Sequence, residues 1–171
     1  QYVPYKGILI RHMDASDLQD IFQIRTALEM LAVRLACSRI TSDQLQILRL
    51  YLEKQAGDTD GLDGDYRKFI IYDTDFHNII IDAAGNMMLR SIIDEIRDKI
   101  KRSGINSLYS RASRIAEAVA EHKEIVDALE AKDTDRACAA MEKHLQICYT
   151  SARSYVMRRM PASKGEASHD E

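Results

Sequence analysis

The sequence predicts an all-α fold, an antiparallel helical bundle of about six helices with a short strand-like piece at the N-terminus. The only prolines are Pro4 and Pro161, so 156 consecutive residues never lose a backbone donor to a proline ring. Between them apolar residues recur three and four positions apart, the helical spacing. Gly57, Gly61, Gly64, Gly85 and Gly104 fall where that period breaks, whereas Gly7 and Gly165 lie outside the helical body. At 171 residues, 46% hydrophobic and 30% charged, the chain has the size and balance of one domain with its own core.

The elements follow in order. Residues 1–10 set Tyr2, Val3 and Tyr5 against Ile8, Leu9 and Ile10 around a Pro/Gly turn, with no helical period. A lone strand cannot bury itself, so this segment reads as the trailing edge of a neighbouring domain. The helical body is expected over residues 11–160. Its first helix runs over residues 17–40, with Ser16 and Gln19 spaced as a capping box. Thr41 and Gln44 repeat that spacing before a second helix whose stripe is Leu45, Leu48 and Leu52 and which Gly57 ends. A third covers residues 63–84. Asn86 caps a fourth carrying Leu89, Ile93, Ile96 and Ile100, which fades at Ser103 and Gly104. A polar loop over residues 106–110 precedes a fifth helix, residues 111–131. A turn at Lys132 and Asp133 leads to a sixth, residues 134–160. Residues 161–171 have the composition of a flexible tail.

Several classes are excluded. No run of 18 apolar residues exists and the N-terminus lacks a signal-peptide pattern, so no membrane partner is expected and the location expected is cytoplasmic. A net charge of −3 argues against a DNA-binding surface on this chain itself. Cys37, Cys138 and Cys148 form no CxxC pair and read as small buried apolar side chains.

A titratable group on a core-facing stripe demands a reason, because burying it unpaired is costly. On the third helix the stripe of Phe69, Ile70, Phe76, Ile80 and Ile81 also holds Asp73 and His77, four residues apart and so on one face. On the fifth, His122 sits among Ile115, Val119, Ile125, Val126 and Leu129. On the sixth, His144 sits among Ala137, Met141, Ile147 and Cys148. From a turn near Lys132 these two histidines are about 10 and 12 residues away, or roughly 15 and 18 Å along each helix, so a hairpin brings them to one level. Three imidazoles and a carboxylate inside a helical core suit a divalent transition metal such as zinc, nickel or manganese. His12 and His169 lie in the termini and read as solvated. Arg25 is a second anomaly, on the stripe of Leu18, Ile21, Phe22, Leu28, Ala32 and Leu35. It either pairs with Glu29 one turn on or grips a ligand carboxylate through its fork, and the two roles are compatible.

These residues resemble a family, the FadR-type C-terminal (FCD) domain of GntR-family bacterial transcription regulators. The segment GILIRHMDASDLQDIFQIRTALE places Arg25 and Glu29 in the family's Arg-x-x-x-Glu position. YDTDFHNIIIDAAGN is similar to its Asp-x-x-Phe-His and Gly-Asn, and EHKEIVDALEAKDTDRACAAMEKH to its closing pattern that ends on His. The resemblance implies a helical bundle that holds a metal on residues matching Asp73, His77, His122 and His144, the set selected above. It also implies a small carboxylate effector (a hydroxy, sugar or dicarboxylic acid) and a homodimer. DNA would be bound through a preceding winged helix-turn-helix domain, of which VPYKGILI resembles the end of a wing. The effector would act by shifting the balance between two arrangements of the bundle. Arg25 would neutralise effector charge. Asn86 and Arg102 are further candidates for the pocket wall, the first otherwise a helix cap and the second otherwise a solvated charge.

Three readings compete with a sensor. A three-histidine ion with open positions can lower a bound water's pKa to about 7 and hydrolyse a substrate, but no HExxH motif and no spare general base are evident. A metal-free interaction module would pair the buried polar groups with one another. Some members of the family bind acyl-CoA without a metal, a role in which four ligand-type residues have no purpose.

Overall fold

The computed structural model describes residues 2–3, 7–8, 13–57, 66–103 and 112–159. Six helices, α1 (Ala15–Arg39), α2 (Ser42–Gly57), α3 (Tyr66–Ala83), α4 (Met87–Arg102), α5 (Ala112–Glu130) and α6 (Thr134–Arg159), follow two short strands, β1 (Tyr2–Val3) and β2 (Gly7–Ile8). The strands pair antiparallel, with Tyr2 opposite Ile8 and Val3 opposite Gly7. The expected tail, the polar loop and the first three residues expected of the third helix lie outside the described residues. Among the described residues, no helix is long and apolar enough to cross a membrane.

Helix starts follow from side chains that satisfy the orphan amides of the first turn. Thr41 and Gln44 form the reciprocal contacts expected of them, and Asn86 Oδ1 accepts from the Leu89 amide at 3.1 Å. The first helix corrects the expectation of a Ser16 cap. Asp14 is the N-cap, accepting from the Ser16 and Asp17 amides at 2.9 Å, and Asp17 reaches back to the Asp14 amide. An aspartate in extended backbone two positions earlier accepts from the Ser16 and Asp17 amides instead, so the helix starts at Ala15. The two tight turns adopt left-handed backbone, at Gly85 (φ 65°) between α3 and α4 and at Lys132 (φ 56°) between α5 and α6. Lys132 Nζ also donates to the Ile40 carbonyl at 3.0 Å, which ties that turn to the end of α1.

The core is built around α1 and α6, which run antiparallel. Leu18 and Phe22 near the start of α1 meet Cys148, Ala152 and Val156 near the end of α6 and Ile96 and Ile100 of α4. Val33, Ala36 and Cys37 further along α1 join Met141 and Leu145 of α6, Phe76 and Ile80 of α3, and Ile125 and Leu129 of α5. All three cysteines are buried and unpaired by disulfide, as expected. On α6 the stripe differs from the expectation, since Ile147 is half-buried while Leu145 is fully buried and takes its place in the core. The α6 stripe therefore runs through Met141, His144, Leu145 and Cys148, and it turns Cys148 toward the same interior as His144.

Candidate metal centre

Asp73 and His77 reach the interior from α3, His122 from α5 and His144 from α6. Each offers one donor atom, and the four atoms lie within 4.8 Å of one another. The three histidines are at most 1% exposed. Their ring centroids are 4.6 Å apart for His122 and His144 and 5.3 Å for the other two pairs. The hairpin of α5 and α6 thus brings its two histidines level, as the residue count from the turn requires. Phe76 stacks on the His122 ring at a centroid distance of 4.4 Å and closes one side.

Each imidazole has a side-chain oxygen close behind its Nδ1. His77 Nδ1 lies 2.7 Å from Glu29 Oε2. His122 Nδ1 meets Gln55 Oε1 at 2.9 Å, and His144 Nδ1 meets Glu121 Oε2 at 2.7 Å. The hydrogen bonds at His122 and His144 set Nδ1 outward and leave Nε2 facing inward, whereas Glu29 lies close to His77 Nδ1 without completing a hydrogen bond. His122 Nε2 lies 3.4 Å from Asp73 Oδ1, and His77 Nε2 lies 3.9 Å from it. Asp73 Oδ1, His77 Nε2 and His122 Nε2 are buried without a hydrogen-bond partner. Buried polar atoms are normally satisfied, and three orphans aimed at one point need a common partner. Two donors bound 2.0–2.2 Å from a tetrahedral ion stand roughly 3.4 Å apart, the separation seen for His122 and Asp73. A divalent transition ion fits this donor set.

The electrostatics prepare the same state at His77 and His122. Burial, with the neighbouring His144 and His77, pushes the His122 pKa well below its ordinary value, so the ring is neutral and able to ligate. Burial also lowers His77, against the pull of Glu29. Burial opposes a charge on Glu29, but Arg25, His77 and Arg97 together hold its carboxyl well below the usual range. Glu121 is kept ionised against burial by His144 and by Arg114, whose fork grips both carboxylate oxygens at 2.9 and 3.1 Å. Burial opposes charge on His144 and Cys148 alike, yet their mutual attraction draws His144 above its ordinary value and Cys148 below.

Beside Asp73 opens a cavity of about 690 Å³ between α3 and α4, which Arg25 and Arg97 also line. Arg25 pairs with Glu29, its Nε 2.7 Å from Oε1, and its side chain also lines the cavity. Asn86 is exposed at the start of α4 and acts there as a cap, and Arg102 is exposed at that helix's last turn. Neither lines this cavity. Glutamates do stand beside the site, where no spare acid was evident in the sequence. Glu29 and Glu121 lie beside Nδ1 of His77 and His144 and each is also paired with an arginine.

The outer partners Glu29, Gln55, Glu121 and Arg114 were only partly readable. Gln55 continues the Leu48 and Leu52 spacing, Arg114 and Glu121 share a face with Ala118 and Ile125, and Cys148 follows His144 by one turn, so a stripe signal existed for each.

Comparison with known proteins places this architecture. The FCD domain model matches residues 20–147. The Nta operon transcriptional regulator of Aminobacter aminovorans is 28% identical over 141 residues, which cover 82% of this chain and 64% of that protein. The HTH-type transcriptional repressor RspR of Escherichia coli is 26% identical over 155 residues, 90% of this chain and 66% of the repressor. The chain thus spans less than two thirds of these relatives. Among solved structures, E. coli McbR/YncC superposes with a TM-score of 0.82 over 90% of this chain and 76% of that one, at 22% identity, a likeness of fold. A matched segment that contains all four converging donors and their three backing residues shows that the chain belongs to the FCD domain family.

Proposed function

We propose that the chain is the effector-binding and dimer-forming part of a GntR-family transcriptional regulator. It would hold a divalent transition ion (zinc, nickel or manganese) on Asp73, His77, His122 and His144 and a small carboxylate beside it. The observation that carries this reading is the set of buried, unpartnered atoms, Asp73 Oδ1, His77 Nε2 and His122 Nε2, within one group of converging donors, with the His122 ring fixed from behind by Gln55. When bound, the ion supplies a Lewis-acidic centre with open positions for an acid's carboxylate and hydroxyl oxygens.

The cavity's charge supports an anionic occupant. Arg25, Arg67, Arg97 and Lys101 line it, and so do four acids, Asp73, Asp75, Asp94 and Asp98. These formal charges cancel, and a dication on Asp73 leaves the site positive by two. Arg25 and Arg97 both contact Glu29, so an anion drawing on either arginine also acts on the group that backs His77. That link joins effector, ligand histidine and α1 in one contiguous network.

The apolar side chains Ile24 and Leu31 of α1 and Met88 and Ile92 of α4 are exposed by 39–71% on two helices that pack together, which supplies area for a second copy to cover. DNA binding would belong to a winged helix-turn-helix module preceding α1, with the strands at residues 2–3 and 7–8 as the end of its wing, in line with the helix-turn-helix naming of RspR.

A panel of hydroxy, sugar and dicarboxylic acids tested by thermal unfolding, on metal-loaded and on chelator-stripped protein, checks the reading. At a hundredfold excess over its dissociation constant the matching acid stabilises the loaded form by about 2.7 kcal/mol and leaves the stripped form unchanged. Equal shifts in both forms, or none with any acid, would overturn it.

A further inference from the structure

The cavity beside Asp73 carries cations at two levels. The tight turn at Gly85 joins α3 to α4, and Asp73 and Arg97 each lie about 12 residues from it, so both stand at one level of the helix pair. Lys101 and Arg67, which line the same cavity, lie about 16 and 18 residues from the turn, roughly 6 and 9 Å farther along their helices. The inner level belongs to the ion's end, where Arg25 and Arg97 have side chains only 11% and 15% exposed. The outer level, Lys101 and Arg67, is solvent-exposed. Between the two, Ile70 and Ile100 supply apolar wall and Asp98 supplies an acceptor.

Two of the lining acids already have partners. Asp94 Oδ2 holds Nε of Arg90, which does not line the cavity, at 2.8 Å, and Asp75 Oδ2 accepts from the Tyr51 hydroxyl at 3.1 Å. With a dication on Asp73 the lining is positive by two, so a single carboxylate leaves half of that charge unmet. We propose that the effector is a two-ended acid of about six carbons, its first carboxylate on the ion beside Arg25 and Arg97 and its second anionic group between Lys101 and Arg67. Five carbon–carbon bonds of about 1.5 Å in an extended chain span about 6 Å, which matches the step between the levels. Asp98 accepts from hydroxyl groups on the chain, which favours a hydroxylated acid over a plain one. This inference rests on the effector reading above and deepens it, with Lys101 and Arg67 as the residues that set specificity.

The test is calorimetric titration of the zinc-loaded chain with three probes that differ at one end only. D-gluconate ends in a hydroxyl, D-glucarate in a carboxylate and 6-phospho-D-gluconate in a phosphate. At least one of the two-ended acids is expected to bind about tenfold or more tightly than gluconate, as one added charge-assisted hydrogen bond implies. Whichever binds more tightly tells whether the second group is a carboxylate or a phosphate. K101A combined with R67A should bring that acid to the affinity of gluconate and leave gluconate unchanged. K99A, exposed on the same helix but outside the cavity lining, should keep the preference. Gluconate bound as tightly as both other acids overturns the inference and leaves the carboxylate-sensor reading standing. So does a preference that survives K101A with R67A, or a loss in that variant shared equally by gluconate. No binding of any of the three also overturns it, and the wider acid panel above then decides the sensor reading separately. A chain that retains no zinc removes the positive charge on which both rest and overturns the metal reading together with this one.

Discussion

Replacing Glu29 by glutamine keeps the volume of the side chain and removes one buried charge. The carboxylate is 1% exposed, with Arg25 Nε at 2.7 Å, His77 Nδ1 at 2.7 Å and Arg97 Nη2 at 3.5 Å. Without it two guanidinium groups, 11% and 15% exposed, face each other in the interior with no carboxylate between them. Removing one partner of a buried pair costs about 3–5 kcal/mol. For a chain of this size that lowers the melting temperature by roughly 6–20 °C. The Arg49–Glu130 pair sets the reference, because its side chains are 44% and 51% exposed and such pairs contribute at most about 1 kcal/mol. Urea unfolding of E29Q and E130Q in chelator, so that metal affinity does not enter, measures the contrast. The sign with pH is also fixed. Glu29's pKa is depressed in the folded state, so its contribution is present above the unfolded carboxyl value of 4.5 and is lost as pH falls through the lower folded value. The gap between wild type and E29Q is therefore full at pH 7 and narrows in acid. A loss in E29Q no larger than that in E130Q would refute the buried-network reasoning.

Three further outcomes are expected. His122 and His77 have depressed pKa values, so below the unfolded value of 6.5 the unfolded chain takes up protons that the folded one refuses. Metal-free stability should fall from pH 7 to pH 5 by up to about 1.4 kcal/mol per pH unit for each ring, and a flat urea-unfolding profile contradicts this. Glu121→Gln weakens the acceptor behind His144 and should reduce zinc affinity by about 10- to 100-fold in competition with a chromophoric chelator, with unchanged affinity as the contrary result. Asn86→Ala should cost about 1 kcal/mol of stability by uncapping α4 and leave carboxylate binding intact. Weaker carboxylate binding at unchanged stability would place Asn86 in the pocket instead.

The four donors could be read from the sequence because each violates a strong rule, that a helix's buried stripe is apolar, and because Asp73 with His77 and His122 with His144 obey simple spacings. The cap of α1 could not, since Asp14 and Ser16 are both good caps and only the backbone conformation chooses between them. Gln55 and Glu121 mark the deeper limit. Periodicity tells which face a residue occupies but not which side chain of another helix it meets, and the contact of Gln55 with His122 joins positions 67 residues apart. Arg25 shows the same limit in another form, because its pairing with Glu29 is local and readable, whereas Arg97 and His77 on the same carboxylate arrive from α4 and α3.

The most direct test is elemental analysis of the chain after equilibration with zinc, nickel or manganese and dialysis, joined to thermal unfolding before and after chelation and compared with His122→Ala. A single retained ion per chain is expected, with a stabilisation of about 2.7 kcal/mol at a hundredfold excess over the dissociation constant. Chelation should reverse it, and His122→Ala should lack most of it. No retained ion and no shift with any of the three metals would contradict a metal centre at Asp73, His77, His122 and His144.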